Sequence, residues 1–142
     1  MDNDSKAAFI GVTLETTKYD LYKALMEGTS YEMLLNFNAM KTQTGEIEEI
    51  RATGGGATSD VWLQIKADVL NTEITALSCK EVGAAGTAAL AGVATDCFVS
   101  LNSAIENMAK IRKIFKPNKE NSKVYSQLYK KYANIYTAVK GL

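Results

Sequence analysis

Apolar positions along the chain fall into blocks with different periods. Phe9-Ile10-Gly11-Val12-Thr13-Leu14 is short and β-branched, which predicts a strand. From Thr17 onward, Leu21, Leu25, Gly28 and Leu35 recur at helical spacing. Tyr22, Met26, Met33 and Phe37 widen that face, so a helix is expected from Thr17 to Thr42. Thr17 with Asp20 is a capping-box variant at its start, and Gly45 marks its stop. Gly28 inside the helix costs about 1 kcal/mol relative to alanine, which points to close approach of another backbone. Ile47–Thr53 reads as a second strand, Ser59–Leu70 as a helix, and Glu73–Leu77 as a third strand after a helix stop at Asn71.

Ser78-Cys79-Lys80-Glu81 has the spacing of a capping box opening a helix rich in Gly83, Ala84, Ala85, Gly86, Ala88, Ala89, Ala91 and Gly92. Small residues at this spacing predict close packing against a neighbour; the other reading has Gly83 and Gly86 lining a ligand cleft. Leu101–Ile111 reads as a further helix. Pro117 forces a boundary and Asn118 can cap a last helix over Lys119–Val139, within a C-terminal helical segment 118–140. Its stripe of Tyr125, Leu128, Tyr129, Tyr132, Ile135, Tyr136 and Val139 is a core or interface face rather than an aromatic ligand platform. Strand, helix, strand, helix, strand and helices in that order predict an α/β fold with crossover helices and a parallel sheet.

At 142 residues the chain is one domain, residues 1–142, with 1–7 as a flexible lead-in. Its charges balance at 16 and 16, and 46% of residues are hydrophobic, which argues against disorder. The absence of histidine excludes His-based triads and histidine general bases from this chain. Cys79 and Cys97 read as two reduced thiols of a cytoplasmic protein. No apolar run is long enough for a membrane span, so no membrane partner is expected. Basic residues dominate from Lys110 onward, but no base-reading motif accompanies them, and a solvated helix face is preferred to nucleic-acid binding.

The candidate chemistry lies in Glu49–Leu70, EIRATGGGATSDVWLQIKADVL. Strand, glycine turn and helix bring main chain close to a ligand, because glycine lacks a Cβ and the helix start presents free N–H groups. Thr58 or Ser59 is the expected N-cap, followed by Asp60. The turn lacks the Lys-Ser/Thr pair of a Walker loop and is not GxGxxG. A tight turn without ligand is the bland alternative. Trp62 reads as buried against the sheet rather than stacked on a base, and Asp68 as a structural hydrogen-bonding group. Asp60 and Asp68, eight positions apart on one helix, cannot face one point of a cleft.

GGGATSDVWLQIKADVL resembles the adenosine-binding motif in the C-terminal domain of FGGY-family carbohydrate kinases, near the xylulokinase and gluconokinase branch. AFIGVTLETTKYDLYKALME (8–27) resembles that family's strand and long helix, and EVGAAGTAALAG (81–92) its small-residue helix. The resemblance covers nearly the whole chain. It implies part of a ribonuclease-H-like domain of the actin-like ATPase superfamily, with a short, mainly parallel sheet and flanking helices. It also implies the ATP-binding part of a sugar kinase that moves the ATP γ-phosphoryl to a carbohydrate hydroxyl. ATP, with Mg2+ in the complete enzyme, is the implied cofactor; an N-terminal domain absent here would carry the base and the sugar site.

Nucleotide contacts carry over to Gly54, Gly55, Gly56 and Ser59, with no catalytic or metal residue in this chain. Thr58 stands where family members often have Lys or Arg. The Met-Asp start leaves Met1 open to being an internal methionine of a longer protein. On this reading the isolated chain binds adenine nucleotide weakly or not at all and is inactive on sugar. The alternative is a non-catalytic binding or oligomerisation module that retains the fold. Homo-oligomerisation through exposed apolar surface is a further expectation, with the tyrosine-striped helix as its candidate contact.

Overall fold

A computed structural model describes residues 6–45, 47 and 49–139. The chain runs α1 (Lys18–Thr44), β1 (Ile50–Ala52), a 3-10 turn (Gly55–Ala57), α2 (Asp60–Leu70), β2 (Ile74–Leu77), α3 (Val82–Ala94), α4 (Leu101–Met108), β3 (Ile111–Phe115) and α5 (Lys119–Val139). Three strands form one sheet in the order β1-β2-β3. β1 and β2 are parallel, with Ile50 opposite Ile74 and Ala52 opposite Ala76. β2 and β3 are antiparallel, with Ile74 opposite Phe115 and Ala76 opposite Lys113.

The sheet is therefore mixed rather than mainly parallel. The difference comes from Ile111–Phe115, of which Ile111 is expected in a helix and the rest in none. Ala109 ends α4, and IRKIF then pairs along the free edge of β2. The expected first strand, Phe9–Leu14, is not one. A strand exists by lending its N–H and C=O groups to a neighbour, and among the described residues none pairs with this segment. Its apolar side chains stand in solvent, with Leu14 fully exposed. Part of the 1–7 lead-in, residues 1–5, lies outside the described residues, as do Glu46, Glu48 and residue 140 of the expected last helix.

The helix signals fare better. Thr17 caps α1 with both halves of the capping box: Asp20 N–H donates to Thr17 Oγ1 at 3.3 Å, and Thr17 N–H donates to Asp20 Oδ2 at 2.9 Å. Gly45 closes α1 at φ 82°, with its N–H on the Lys41 carbonyl. Asn71 closes α2 in the left-handed region at φ 48°. Asn118 Oδ1 accepts from Glu120 N and Asn121 N at the start of α5. The Ser78 capping box does not form, because α3 begins later, after Glu81, and has no side-chain cap.

α2 packs on the sheet, and α1 and α5 pack against α2. Leu63, Ala67 and Leu70 of α2 meet Ile74 and Ala76 of β2 and Phe115 of β3, with Met33, Leu34 and Phe37 of α1 closing over them. A second cluster joins Tyr31, Ile65, Val69 and Tyr125, with Tyr129 and Tyr132 partly buried against it, while Leu128 and Tyr136 of the same stripe are exposed. Tyr31 lies 6.1 Å from Tyr125 in edge geometry and 5.2 Å from Tyr132, centroid to centroid. The N-terminal part of the stripe, around Tyr125, is thus a core face.

Asp68 is 2% exposed and ties α2 to the start of α5. Its Oδ1 accepts from Gln64 Nε2 and Asn118 N, both at 2.8 Å, and its Oδ2 from Asn121 Nδ2 at 2.9 Å. The expected structural role is the observed one. Gly28 differs from expectation: a Cβ there would meet nothing within 4 Å. The small-residue helix α3 buries only Ala89 and packs on α4, so close packing holds for one side of it alone.

Candidate functional site

β1 and β2 run parallel, so their C-terminal ends lie on one edge of the sheet, the usual place for ligands in open α/β sheets. The glycine turn follows β1 at that edge. Gly54 has φ 77° and ψ −168°, a region that only glycine occupies without strain. The turn closes when Ala57 N–H donates to Gly54 O at 3.1 Å and Thr58 N–H to Gly55 O at 3.2 Å. The N–H groups of Gly55 and Gly56 precede those bonds at the start of a 3-10 turn. A Cβ on Gly54 or Gly55 would meet nothing within 4 Å, so the main chain lies bare. At Gly56 a Cβ would sit 3.7 Å from the Trp62 ring and 3.8 Å from Lys66 Nζ.

In front of the turn lies a hollow of about 240 Å³. It is lined by Gly54, Ala57 and Thr58 of the glycine turn, by Leu77 at the end of β2 with Ser78, Cys79 and Lys80 after it, and by Arg112 of β3. Of the four sequence-derived contacts, the structure brings Gly54 to this hollow. Gly55 and Gly56 are exposed beside it. Ser59 is exposed and caps α2, its Oγ accepting from Trp62 N at 3.3 Å. A second hollow of about 260 Å³ shares Leu77 and Cys79 with the first and is lined by α3 and α4 residues, Gly86 and Ala89 among them. Gly83, proposed with Gly86 for a cleft, does not line it.

Trp62 departs from expectation. It is half-buried against α1 rather than the sheet, donating from Nε1 to the Met26 carbonyl at 3.3 Å. Lys66 Nζ sits 4.0 Å from its ring centroid, a cation–π contact that places an ammonium beside Gly56. Burial holds the Lys66 pKa below its ordinary value.

Arg112 is the residue that sequence reasoning missed. Ala76 pairs with Lys113 and Leu77 with Ile111, so Arg112 is the extra residue of a bulge. In a regular strand, successive side chains point to opposite faces. Here Arg112 and Lys113 both reach Asp60: Nη1 to Oδ1 and Nζ to Oδ2, each at 2.8 Å. Arg112 Nη2 also donates to the Ala57 carbonyl at 2.9 Å. The guanidinium thus pins the glycine turn to the first turn of α2. Hydrogen bonds from Lys113 and then Arg112 hold the Asp60 pKa below its ordinary value. The bulge depends on the pairing of β2 with β3 and has no local signal. The run of cations after Lys110 was visible, but its face was not.

Asp60 and Asp68 sit at opposite ends of α2 with different partners, so they do not converge. Among the described residues no three His, Cys, Asp or Glu side chains are grouped to hold a metal. Cys79 and Cys97 are free thiols. No helix among the described residues is long and apolar enough to cross a membrane.

Residues 1–95 match the family described as the FGGY family of carbohydrate kinases, C-terminal domain. Xylulose kinase of Staphylococcus epidermidis is 35% identical over 141 residues, covering 99% of this chain and 28% of the relative. The crystal structure of ligand-bound xylulose kinase from Lactobacillus acidophilus superposes with a TM-score of 0.83 at 26% identity, over 96% of this chain and 28% of that one. Plasmodium falciparum glycerol kinase with ADP superposes with a TM-score of 0.78 at 24% identity, over 92% and 27%, a likeness of fold. The chain spans little more than a quarter of the length of these relatives. With the matched family covering its first 95 residues, this chain belongs to the FGGY family of carbohydrate kinases, as xylulose-kinase-like C-terminal-domain sequence.

Proposed function

We propose that this chain is the adenosine-holding part of an ATP-dependent sugar kinase, with Gly54, Gly55, Gly56 and Ser59 at the nucleotide. One observation carries the reading: a bare, positive-φ glycine turn stands at the C-terminal edge of the parallel strands, open onto a hollow. The residues present fit an adenine nucleotide. Main chain can approach the ligand at Gly54 and Gly55 without a Cβ in the way, and the N–H groups of the turn can donate to it. ATP supplies the phosphoryl group that such kinases transfer. This chain binds and orients the nucleoside end, and Arg112 keeps the turn in place through the Ala57 carbonyl. Mg2+ finds no grouped ligand set among the described residues, so no metal step is assigned to this chain. The base and the sugar site are assigned to sequence that the relatives have and this chain does not span.

Gly55→Ala tests the reading, because the fold has room for that methyl and Gly55 is not at positive φ. Backbone amide shifts of residues 54–59 should move on addition of millimolar ADP in the wild type, and much less in G55A. Unmoved amides in the wild type would sink the proposal. The absence of a grouped carboxylate site among the described residues favours one second reading, a non-catalytic binding or oligomerisation module. That reading gains if the chain self-associates while those amides ignore ADP. On either reading the isolated chain should phosphorylate no sugar in a coupled assay.

A further inference from the structure

The hollow before the glycine turn is lined by two cations, Lys80 and Arg112, and by no carboxylate. The two cations are differently committed. Arg112 is held by Asp60 and by the Ala57 carbonyl, and Asp60 is shared with Lys113. One carboxylate against two cations leaves that cluster net positive behind the hollow. Lys80 makes no ion pair or hydrogen bond with any described residue. It lies three residues past the end of β2 and lines the hollow together with Gly54, Ala57 and Thr58. An ammonium without a partner, at the rim of a carboxylate-free hollow, attracts an anion and gains from a charge-assisted hydrogen bond to it.

We propose that Lys80 is the residue that meets the phosphate end of the nucleotide, a specificity determinant that favours nucleoside phosphates over the bare nucleoside. The inference rests on the nucleotide reading above. Lys80 acts by direct contact with ligand; Arg112 acts through the turn and is a positioning residue. Ser78, which lines the same hollow, offers a hydroxyl beside Lys80 but no charge, whereas the Thr58 hydroxyl already donates to the Gly55 carbonyl at 2.7 Å.

The test compares ADP with adenosine on the chain, using amide shifts of residues 54–59 and 78–80 as the readout. Wild type should bind ADP about tenfold more tightly than adenosine, as expected for one charge-assisted contact. Lys80→Gln should lose about five- to tenfold in ADP affinity and leave adenosine unchanged, and Lys80→Arg should restore most of the loss. Higher salt should shrink the wild-type preference toward that of K80Q. Equal wild-type affinities for ADP and adenosine would overturn the inference and leave the nucleotide reading standing. A K80Q variant that weakens both ligands alike would also overturn it, by showing a role in structure alone. If neither ligand moves the wild-type amides, the site reading fails and the role of Lys80 falls with it.

Discussion

Two glycines in this chain look alike in sequence and do opposite things. Gly54 sits at φ 77° and ψ −168°, so a side chain there is strained although no atom blocks it. G54A should cost about 1–3 kcal/mol in chemical denaturation. Gly28 is an ordinary helical residue with nothing near a would-be Cβ. G28A should therefore stabilise, by up to about 1 kcal/mol, and a loss instead would show a close neighbour. Asp68 belongs at this scale too. Its carboxylate satisfies Gln64, Asn118 and Asn121 from a buried position. D68A leaves those donors unpaired and should cost about 2–4 kcal/mol. Asp68 stood out in the sequence as the lone acid near the end of its helix, but its partners on the segment leading into α5 did not.

At the scale of elements, the α1–α2–α5 layer depends on tyrosines. Burial, and secondarily the Glu27 carboxylate, pushes the Tyr31 hydroxyl up to about 12. Burial also raises Tyr132 to about 12, helped by its hydrogen bond to Glu32. Tyr125 is raised as well, by burial first and then by its 2.8 Å hydrogen bond to Glu27. A phenol whose folded pKa is raised contributes stability that is fully present below its unfolded value, near 10, and is lost as pH climbs through the folded value. Stability should thus fall between about pH 10 and 12. Y132F should flatten part of that fall, measured by denaturant midpoints across the range. Asp60 has the opposite sign. Its folded pKa is depressed, so its contribution is present above 3.8 and is lost as pH drops below that value. Acid should loosen the contact between the glycine turn, β3 and the start of α2.

For the whole molecule, the exposed apolar residues are the notable property. Phe9, Ile10, Val12 and Leu14 lie in a segment that no described strand pairs with, and Tyr19, Tyr22 and Leu25 follow on the outer face of α1. Contiguous exposed apolar surface of this kind promotes association. The chain should sediment faster as its concentration rises, and I10S combined with V12S should reduce that dependence. A single concentration-independent monomer would contradict this expectation. The relatives, of which this chain spans about 28%, have further sequence that can cover the same surface.

Local chemistry was legible from the residues alone. Thr17, Gly45, Asn71 and Asn118 mark helix ends because caps and left-handed stops are satisfied within a few residues. The glycine turn between strand and helix was legible for the same reason, since positive φ is a property of a residue and its immediate neighbours. Only the tertiary structure decided what required a distant partner. It left Phe9–Leu14 without a mate among the described residues, turned Ile111–Phe115 into an antiparallel edge, and put Trp62 against α1. It also brought Arg112, 52 positions beyond Asp60, to the back of the glycine turn. Strand pairing and a bulge depend on which chain segment lies alongside, and no local period encodes that choice.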